Sequence, residues 1–250
     1  MNGPNLKHQT FIRMKNSRTV VRHILCLFAC LAAFARPVSA QEEIAMDIPN
    51  LKKIEAAIRD FDSDMYYPAL MKRYAENDTT LTLDEFRHLY LGYSFQESYN
   101  PYRISPHIEK LMPLYTLHEH TEKECNDIIK YATRAIEDFP FDLRQINMLI
   151  YAYRQKGMNN TAAIWEYKLR SIVNAILSTG DGKSPQTAWY VIYPTHEYDV
   201  VNRQGFTGAK YNFVEPSFDY LEVEKNPLNV KGYYFNVSRI LQEYDRKYKE

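Results

Sequence analysis

Cysteine is scarce in this sequence, and its placement leaves even less for the fold. Of the three cysteines, Cys26 and Cys30 lie in the first forty residues, so residues 41–250 contain only Cys125. One thiol cannot close an internal disulfide, and the fold must therefore be stabilised by its core alone. About 210 residues can form such a core, as one domain or as two tightly packed parts.

A membrane-spanning run is also lacking. The apolar run Ile24 to Ala35 is far shorter than the roughly 20 residues that a spanning helix needs. It follows a basic stretch without acids and precedes small residues that end at Ala40, which is the layout of a secretory signal peptide. We expect residues 1–40 to be removed and the protein to be exported, to the periplasm or the envelope, with no transmembrane segment in the mature chain.

Two features of this leader leave alternatives open. Met14 can replace Met1 as the start, since a basic segment of ordinary length still follows it. Leu27 to Cys30 resembles the signal for lipid attachment, so a lipoprotein anchored at Cys30 is the alternative to cleavage after Ala40.

Excess positive charge is missing from the mature part. The leader has six Lys or Arg and no acid, so residues 41–250 hold 25 basic and 31 acidic residues, a net charge of −6. No basic patch stands out, and we therefore expect no nucleic-acid partner.

Established catalytic motifs are missing too. Val200 stands where a zinc-binding H-E-x-x-H helix would need its second histidine. Neither a phosphate-binding loop nor a G-x-S-x-G nucleophile turn is present, and we predict no cofactor. The polar cluster His196, Glu197 and Asp199 remains as a candidate general base or metal site, though helix capping and solvation also account for it.

Two further sets of residues carry functional hypotheses. In an extended segment His118 and His120 project to the same side and could bind a metal, but two ligands do not complete a site. All 21 tyrosines lie in the mature part, where core packing is the ordinary explanation and a binding surface the functional one. The candidate contacts for a peptide or protein are Tyr90, Tyr93, Tyr151 and Tyr153.

Helical periodicity extends from residue 50 to about residue 178. Capping boxes at Thr82 with Glu85 and at Thr121 with Glu124 predict two helix starts. Asp142 predicts a third start and Gly157 a helix end. The spacing of small and large residues resembles the tetratricopeptide pattern, at positions Ala132, Ala135, Pro140, Ile146, Leu149, Ile150, Tyr153, Gly157 and Ala162.

The last seventy residues predict a different architecture. We expect a central strand at 187–193 that is buried on both sides, two more strands at 218–224 and 232–236, and a final helix from Ser238. If residues 195–203 form a helical turn, Thr195 is its predicted N-cap. The predicted fold class is α+β, with a helical part (41–180) packed against a small, mostly antiparallel sheet with a final helix (181–250). We expect the two parts to form one compact unit.

Four stretches carry a family resemblance: YNPYR (99–103), PFDLRQINMLIYAYRQKG (140–157), GDGKSPQTAWYVIYPTHEYD (180–199) and FVEPSFDYLEVEKNPLNVKGYYFNVSRIL (213–241). They resemble an exported bacterial family labelled domain of unknown function four-nine-one-nine. The resemblance implies an envelope protein of Gram-negative bacteria, and it implies no activity, ligand or site residue.

Two functional hypotheses follow from these patterns. The first is a non-enzymatic exported protein whose helix pairs bind an envelope protein or peptide, or act as a scaffold. The second is a hydrolase-type enzyme with His196, Glu197 and Asp199 at the meeting of sheet and helices, joined by Glu215 or Asp219.

Overall fold

A computed structural model describes residues 44–248 of the chain. The predicted signal peptide, the alternative start at Met14 and the lipid-attachment alternative at Cys30 lie outside these residues. The described chain begins with seven helices, continues through a short strand and one more helix, and ends with three strands and a final helix. This order confirms the predicted α+β class.

The helical part contains three short helices, one single turn and three longer helices. They are α1 (Leu51–Arg59), α2 (Tyr67–Ala75), α3 (Leu83–Tyr93), α4 (Ile108–Leu111), α5 (Glu122–Asp138), α6 (Leu143–Gln155) and α7 (Asn159–Leu177). Helix α6 packs against both α5 and α7, and α3 packs against α7. Short loops between α5, α6 and α7 make consecutive helices antiparallel neighbours.

Local signals fix several helix ends as predicted. Both capping boxes form, because the threonine side chain accepts from the N3 backbone and the N3 glutamate accepts from the threonine backbone. The Asp142 side chain accepts from the backbone of Gln145 and begins α6. Gly157 follows the end of α6 with a φ of 71°, a backbone conformation that glycine adopts without steric cost. Asn160 is a residue type that commonly caps a helix, and we would place the N-cap of α7 there from the sequence, but α7 begins at Asn159 with Met158 as its N-cap, so that placement is wrong.

The C-terminal part forms a four-stranded sheet in the order β1–β4–β3–β2. Its elements are β1 (Trp189–Tyr190), α8 (Thr195–Arg203), β2 (Gly208–Val214), β3 (Phe218–Val223), β4 (Gly232–Asn236) and α9 (Ser238–Tyr248). Strands β2, β3 and β4 pair antiparallel, and β1 pairs parallel with β4. Thus the sheet is mostly antiparallel, as predicted, and the final helix starts at Ser238.

The predicted central strand at 187–193 is wrong in both length and position. Only Trp189 and Tyr190 form strand, and they lie at the edge of the sheet. Val191 and Ile192 are buried, but the backbone of Ile192 faces the helical part. Its N–H donates to the hydroxyl of Tyr90 in α3 at 3.2 Å, and its carbonyl accepts from the hydroxyl of Tyr99, in the loop after α3, at 2.7 Å. The apolar run is therefore buried because it passes beneath the helices, not because strands flank it.

One core joins the two parts. The buried apolar side chains of the helices and of the sheet, including Leu221 and Phe235, belong to a single cluster. Helix α8 lies at the junction, because it contacts α6 on one side and β2 on the other. The side chains of α8 therefore face two different environments, which decides what each of its polar residues can do.

Candidate functional site

Helix α8 carries the predicted cluster, and the structure places its three residues in three different surroundings. The helix starts at Thr195, whose predicted role as N-cap is wrong because Pro194 occupies that position. Successive residues of a helix point about 100° apart. As a result His196 faces the helical part, Glu197 faces the sheet, and Asp199 lies near the start of α6.

His196 is completely buried and both of its ring nitrogens are bonded. Nε2 lies 3.0 Å from the carbonyl oxygen of Phe141, and since a carbonyl only accepts, Nε2 carries the proton. Nδ1 lies 2.7 Å from the Tyr90 hydroxyl, which donates to it and itself accepts from the backbone N–H of Ile192 at 3.2 Å. This chain of hydrogen bonds ties the segment before α8 to α3 and to the loop before α6.

The surroundings of His196 keep it neutral. Burial lowers the pKa of its imidazole to about 3, although the Phe141 carbonyl acts in the opposite direction. A general base or a metal ligand needs a free nitrogen lone pair, and the single lone pair of this neutral ring accepts from Tyr90. The geometry therefore gives His196 a role in holding α8 against the helices.

Glu197 and Asp219 form a buried carboxyl pair on the other side of α8. Asp219 lies in β3, opposite Phe235 in β4, and it hydrogen bonds to Glu197. Burial raises the pKa of Glu197, and the neighbouring Asp219 charge raises it further. Two carboxyl groups this close share a proton, with Glu197 as the neutral donor and Asp219 as the acceptor.

Asp199 is the third member of the predicted cluster. Its Oδ2 atom is buried and has no hydrogen-bond partner among the described residues. Burial raises the pKa of Asp199 to about 6, while Arg144 acts to lower it and Asp142 to raise it. Asp199 thus belongs electrostatically to the start of α6, apart from both His196 and Glu197. Glu215, the other predicted participant, lies in the exposed turn between β2 and β3.

A cavity of about 210 Å³ opens beside the N-terminus of α8. Three segments surround it: the loop after α3, the junction of α5 and α6, and the residues just before α8. Its wall combines aromatic rings, amides and charges of both signs, a composition suited to polar ligands with some apolar surface. The lining includes Tyr93, Asn100, Arg103, Tyr115, Asp138, Phe139, Asp142, Arg144, Gln145, Tyr193 and Thr195.

Hydrogen bonds fix the wall of this cavity. Asp138 accepts from Arg103 at 2.9 Å and from the Ser105 hydroxyl at 2.6 Å. The Tyr193 hydroxyl donates to the carbonyl of Arg103 at 2.7 Å. These contacts hold the loop after α3 against the end of α5 and against the segment that precedes α8. The cavity is therefore formed by contacts between distant parts of the chain.

The ion pair of Arg103 and Asp138 also borders a second cavity, of about 300 Å³. Tyr93 and Ser98 line both spaces, together with the two ion-paired residues. We refer to the two cavities together as the loop cleft. An extended ligand in the loop cleft would pass across the Arg103–Asp138 pair.

The predicted tyrosine contacts are separated in the fold. Tyr93 lines the loop cleft, whereas Tyr90 is fully buried against His196. Tyr151 lies 2.9 Å from Nδ1 of His120 through its hydroxyl, away from the cleft lining. Tyr153 is half-buried and packs against the core. The four residues do not form one binding surface.

The two histidines proposed as metal ligands lie in different surroundings. His120 donates from Nε2 to the carbonyl of Leu114 at 2.9 Å, and its other nitrogen contacts Tyr151. His118 is exposed. Within residues 44–248 no group of three or more His, Cys, Asp or Glu side chains could hold a metal ion. In the same range no helix has the length and apolar character needed to cross a membrane.

Sequence reasoning missed most of the residues of the loop cleft. Arg103, Asp138 and Gln145 come from a loop, a helix end and a helix start, so no periodic pattern groups them. The available signal was local: the Asn-Pro turn of YNPYR and the proline that ends α5 mark two loops rich in polar and aromatic residues.

Comparison with known proteins identifies a family but no individual relative. No curated protein and no solved structure matches the chain. The family model described as Domain of unknown function (DUF4919) matches residues 52–246, which include nearly all of the described fold. The chain therefore belongs to this family of unknown function.

Proposed function

We propose that this protein is a non-enzymatic, exported bacterial protein that binds a peptide or a segment of an envelope protein in the loop cleft. The leader-like residues 1–40 support export, and the spacing of α5, α6 and α7 supports a tetratricopeptide-like helix array as the scaffold. Periplasmic or envelope-associated localisation belongs to the same proposal.

The observation that carries this proposal is the composition and construction of the loop cleft. Aromatic rings lie beside amide and charged groups there, and Gln145 and Tyr115 hold each other by hydrogen bonds at 2.7–3.0 Å. Phe139 and Tyr193 stack with ring centres 4.7 Å apart and form an apolar wall. Peptides offer both backbone amides and apolar side chains, so they match such a surface.

The surroundings of His196 also favour binding over catalysis at the predicted cluster. Both ring nitrogens are bonded within the protein, and the histidine is separated from Glu197 by the body of α8. A histidine–carboxylate pair cannot form between these two residues in this arrangement.

The test is a titration of the mature protein with a mixture of random hexapeptides, followed by backbone amide chemical shifts. Binding in the cleft is expected to shift the amides of residues 98–105 and 138–145. Ser98 is exposed and lines both cavities, so Ser98→Trp should block them and abolish the shifts. Thr79→Trp, at an exposed turn, is the matched control and should leave binding unchanged. Shifts spread over other surfaces, or no shifts at all, would contradict the proposal.

A second candidate function is favoured by one observation, the Glu197–Asp219 pair. A neutral carboxyl beside an ionised one is the arrangement that general acid–base catalysis uses. The measurement is a hydrolase screen of the wild-type protein beside Glu197→Gln and Asp219→Asn. An activity lost in both variants would support the enzyme, and an activity unaffected by them would count against this pair as its site.

A further inference from the structure

Arg144 is a cation on the wall of the loop cleft, and its guanidinium has no bonded partner among the residues that the structure describes. It is the second residue of α6 and is exposed, and within residues 44–248 its guanidinium forms neither a hydrogen bond nor an ion pair, although its backbone N–H bonds to the Asp142 carboxyl. The other cation of the wall, Arg103, is already paired with Asp138. The side-chain N–H donors of Arg144 are therefore available to a ligand.

The acidic residues near Arg144 bond to other groups or act on it only through their charge. Asp142 uses Oδ1 to cap α6, at 3.1 Å from the backbone nitrogen of Gln145. Asp138 accepts from Arg103 and Ser105. Asp199 lies within electrostatic range of Arg144 but makes no hydrogen bond to it through its buried Oδ2 atom. These carboxyl groups nevertheless make the surroundings acidic, which disfavours a ligand with two negative charges.

The remaining wall defines what would lie beside a bound anion. Tyr115 and Tyr193 lie within electrostatic range of Arg144, whose charge acts to lower the pKa of both hydroxyls, and the stacked pair of Tyr193 and Phe139 provides apolar surface. The cavity of about 210 Å³ is smaller than the roughly 300–1,000 Å³ of sites that enclose a whole small ligand. It is suited to one end of a chain, with the rest continuing toward the second cavity.

We infer that the loop cleft recognises a carboxylate of its peptide ligand through Arg144. This inference rests on the proposed function and specifies its ligand. A guanidinium binds a carboxylate with two parallel hydrogen bonds, and the single negative charge suits the acidic surroundings. The carboxylate can come from a peptide C-terminus or from an acidic side chain.

The experiment compares three sets of tetrapeptides by calorimetric titration of the mature protein. The first set lacks Asp and Glu and has free C-termini, the second is the same set amidated, and the third is amidated but carries one Glu. Binding of the first set alone assigns the C-terminus, and binding of the third set as well assigns any carboxylate. Either result supports recognition of a carboxylate, provided that the amidated second set binds about tenfold or more weakly.

Variants test the residue itself. Arg144→Gln should weaken binding of the free-acid set about tenfold or more, and Arg144→Lys should restore part of it, because a lysine keeps the charge but not the paired geometry. Arg134→Gln is the matched control: Arg134 is an exposed arginine of α5 outside the cleft lining. Thermal unfolding of each variant shows whether the fold is retained.

Three outcomes overturn the inference. If acid and amide peptides bind equally, or if Arg144→Gln behaves like Arg134→Gln, recognition of a carboxylate by Arg144 is wrong. The proposed function survives both results as long as Ser98→Trp still abolishes binding. If no set binds at all, the inference and the proposed function both fall.

Discussion

Removing the hydroxyl group of Tyr90 should weaken the attachment of α8 to the helical part, because it removes one of the two hydrogen bonds of the His196 ring. In Tyr90→Phe the ring stays, so the packing against Phe141 at a centroid distance of 5.9 Å is unchanged. The hydroxyl, however, accepts from the backbone of Ile192 and donates to Nδ1 of His196. The substitution leaves both of these buried groups without a partner.

The expected cost follows from these two groups. Each buried polar group left unsatisfied costs about 1–3 kcal/mol, so we expect the free energy of unfolding to fall by about 3 kcal/mol. For a protein of this size that corresponds to a decrease in Tm of about 6–12 °C. Urea unfolding measures the change, and the dependence on urea should keep its slope while the midpoint moves.

Tyr153→Phe is the matched control for this prediction. Like Tyr90, Tyr153 is a tyrosine of a helix, but it is half-buried, and its hydroxyl has no hydrogen bond among the described residues. Its loss should change the free energy of unfolding by less than about 0.5 kcal/mol. Equal effects of the two substitutions, or a loss below about 1 kcal/mol for Tyr90→Phe, would refute the assigned hydrogen-bond chain.

Three more predictions test the groups around α8. Burial lowers the pKa of His196 to about 3 from its ordinary 6.5, so between these pH values the unfolded state binds a proton that the folded state excludes. The stability from this group is therefore present above pH 6.5 and is lost as the pH falls toward 3. Urea unfolding of His196→Gln at several pH values should lack this component of the pH dependence. Burial raises the pKa of Glu197, so its contribution to the free energy of unfolding is lost as the pH rises above the ordinary range of a glutamate. Glu197→Gln, which stays neutral, should therefore raise the free energy of unfolding at pH 8 by at least about 1 kcal/mol. A decrease would contradict the shared proton. A Cβ at Gly180 would lie 2.1 Å from the carbonyl oxygen of Thr187, so Gly180→Ala should lower the free energy of unfolding by about 3 kcal/mol or more. Gly157 has a φ of 71° and open space around it, so Gly157→Ala should lower it by only about 1 kcal/mol. Chemical unfolding of both variants measures the difference.

Elements fixed by local chemistry could be predicted from the sequence. The two capping boxes, the Asp142 cap and the glycine after α6 each depend on residues within one turn of each other, so the helix ends follow from the order of residues. The final helix also starts where the sequence predicts, at Ser238.

Elements fixed by distant partners could not be predicted in this way. Strand β2 was missed because it lies at the sheet edge and is largely exposed, so no alternation of buried apolar residues marks it; its pairing with β3 defines it. The apolar run at 187–193 has the composition of a buried strand, but composition cannot tell burial between strands from burial beneath helices.

The candidate site shows the same limit. His196, Glu197 and Asp199 are neighbours in the sequence, and the helix turns them toward three separate sets of partners. Those partners come from positions such as Tyr90 and Asp219, far away in the chain. The sequence could therefore mark α8 as unusual, but it could not show that His196 is enclosed or that a cleft lies beside it.

The most direct test of the proposed binding role is photo-cross-linking inside the cells that produce the protein. A photoreactive phenylalanine analogue replaces Ile104, which is 74% exposed at the rim of the loop cleft. The matched control is Leu228, which is 75% exposed and lies outside the cleft lining. We predict a discrete peptide or protein adduct from position 104 that disappears with Ser98→Trp, decreases with Arg144→Gln and is absent from position 228. Equal labelling from both positions, or no adduct from position 104, would contradict binding in the loop cleft.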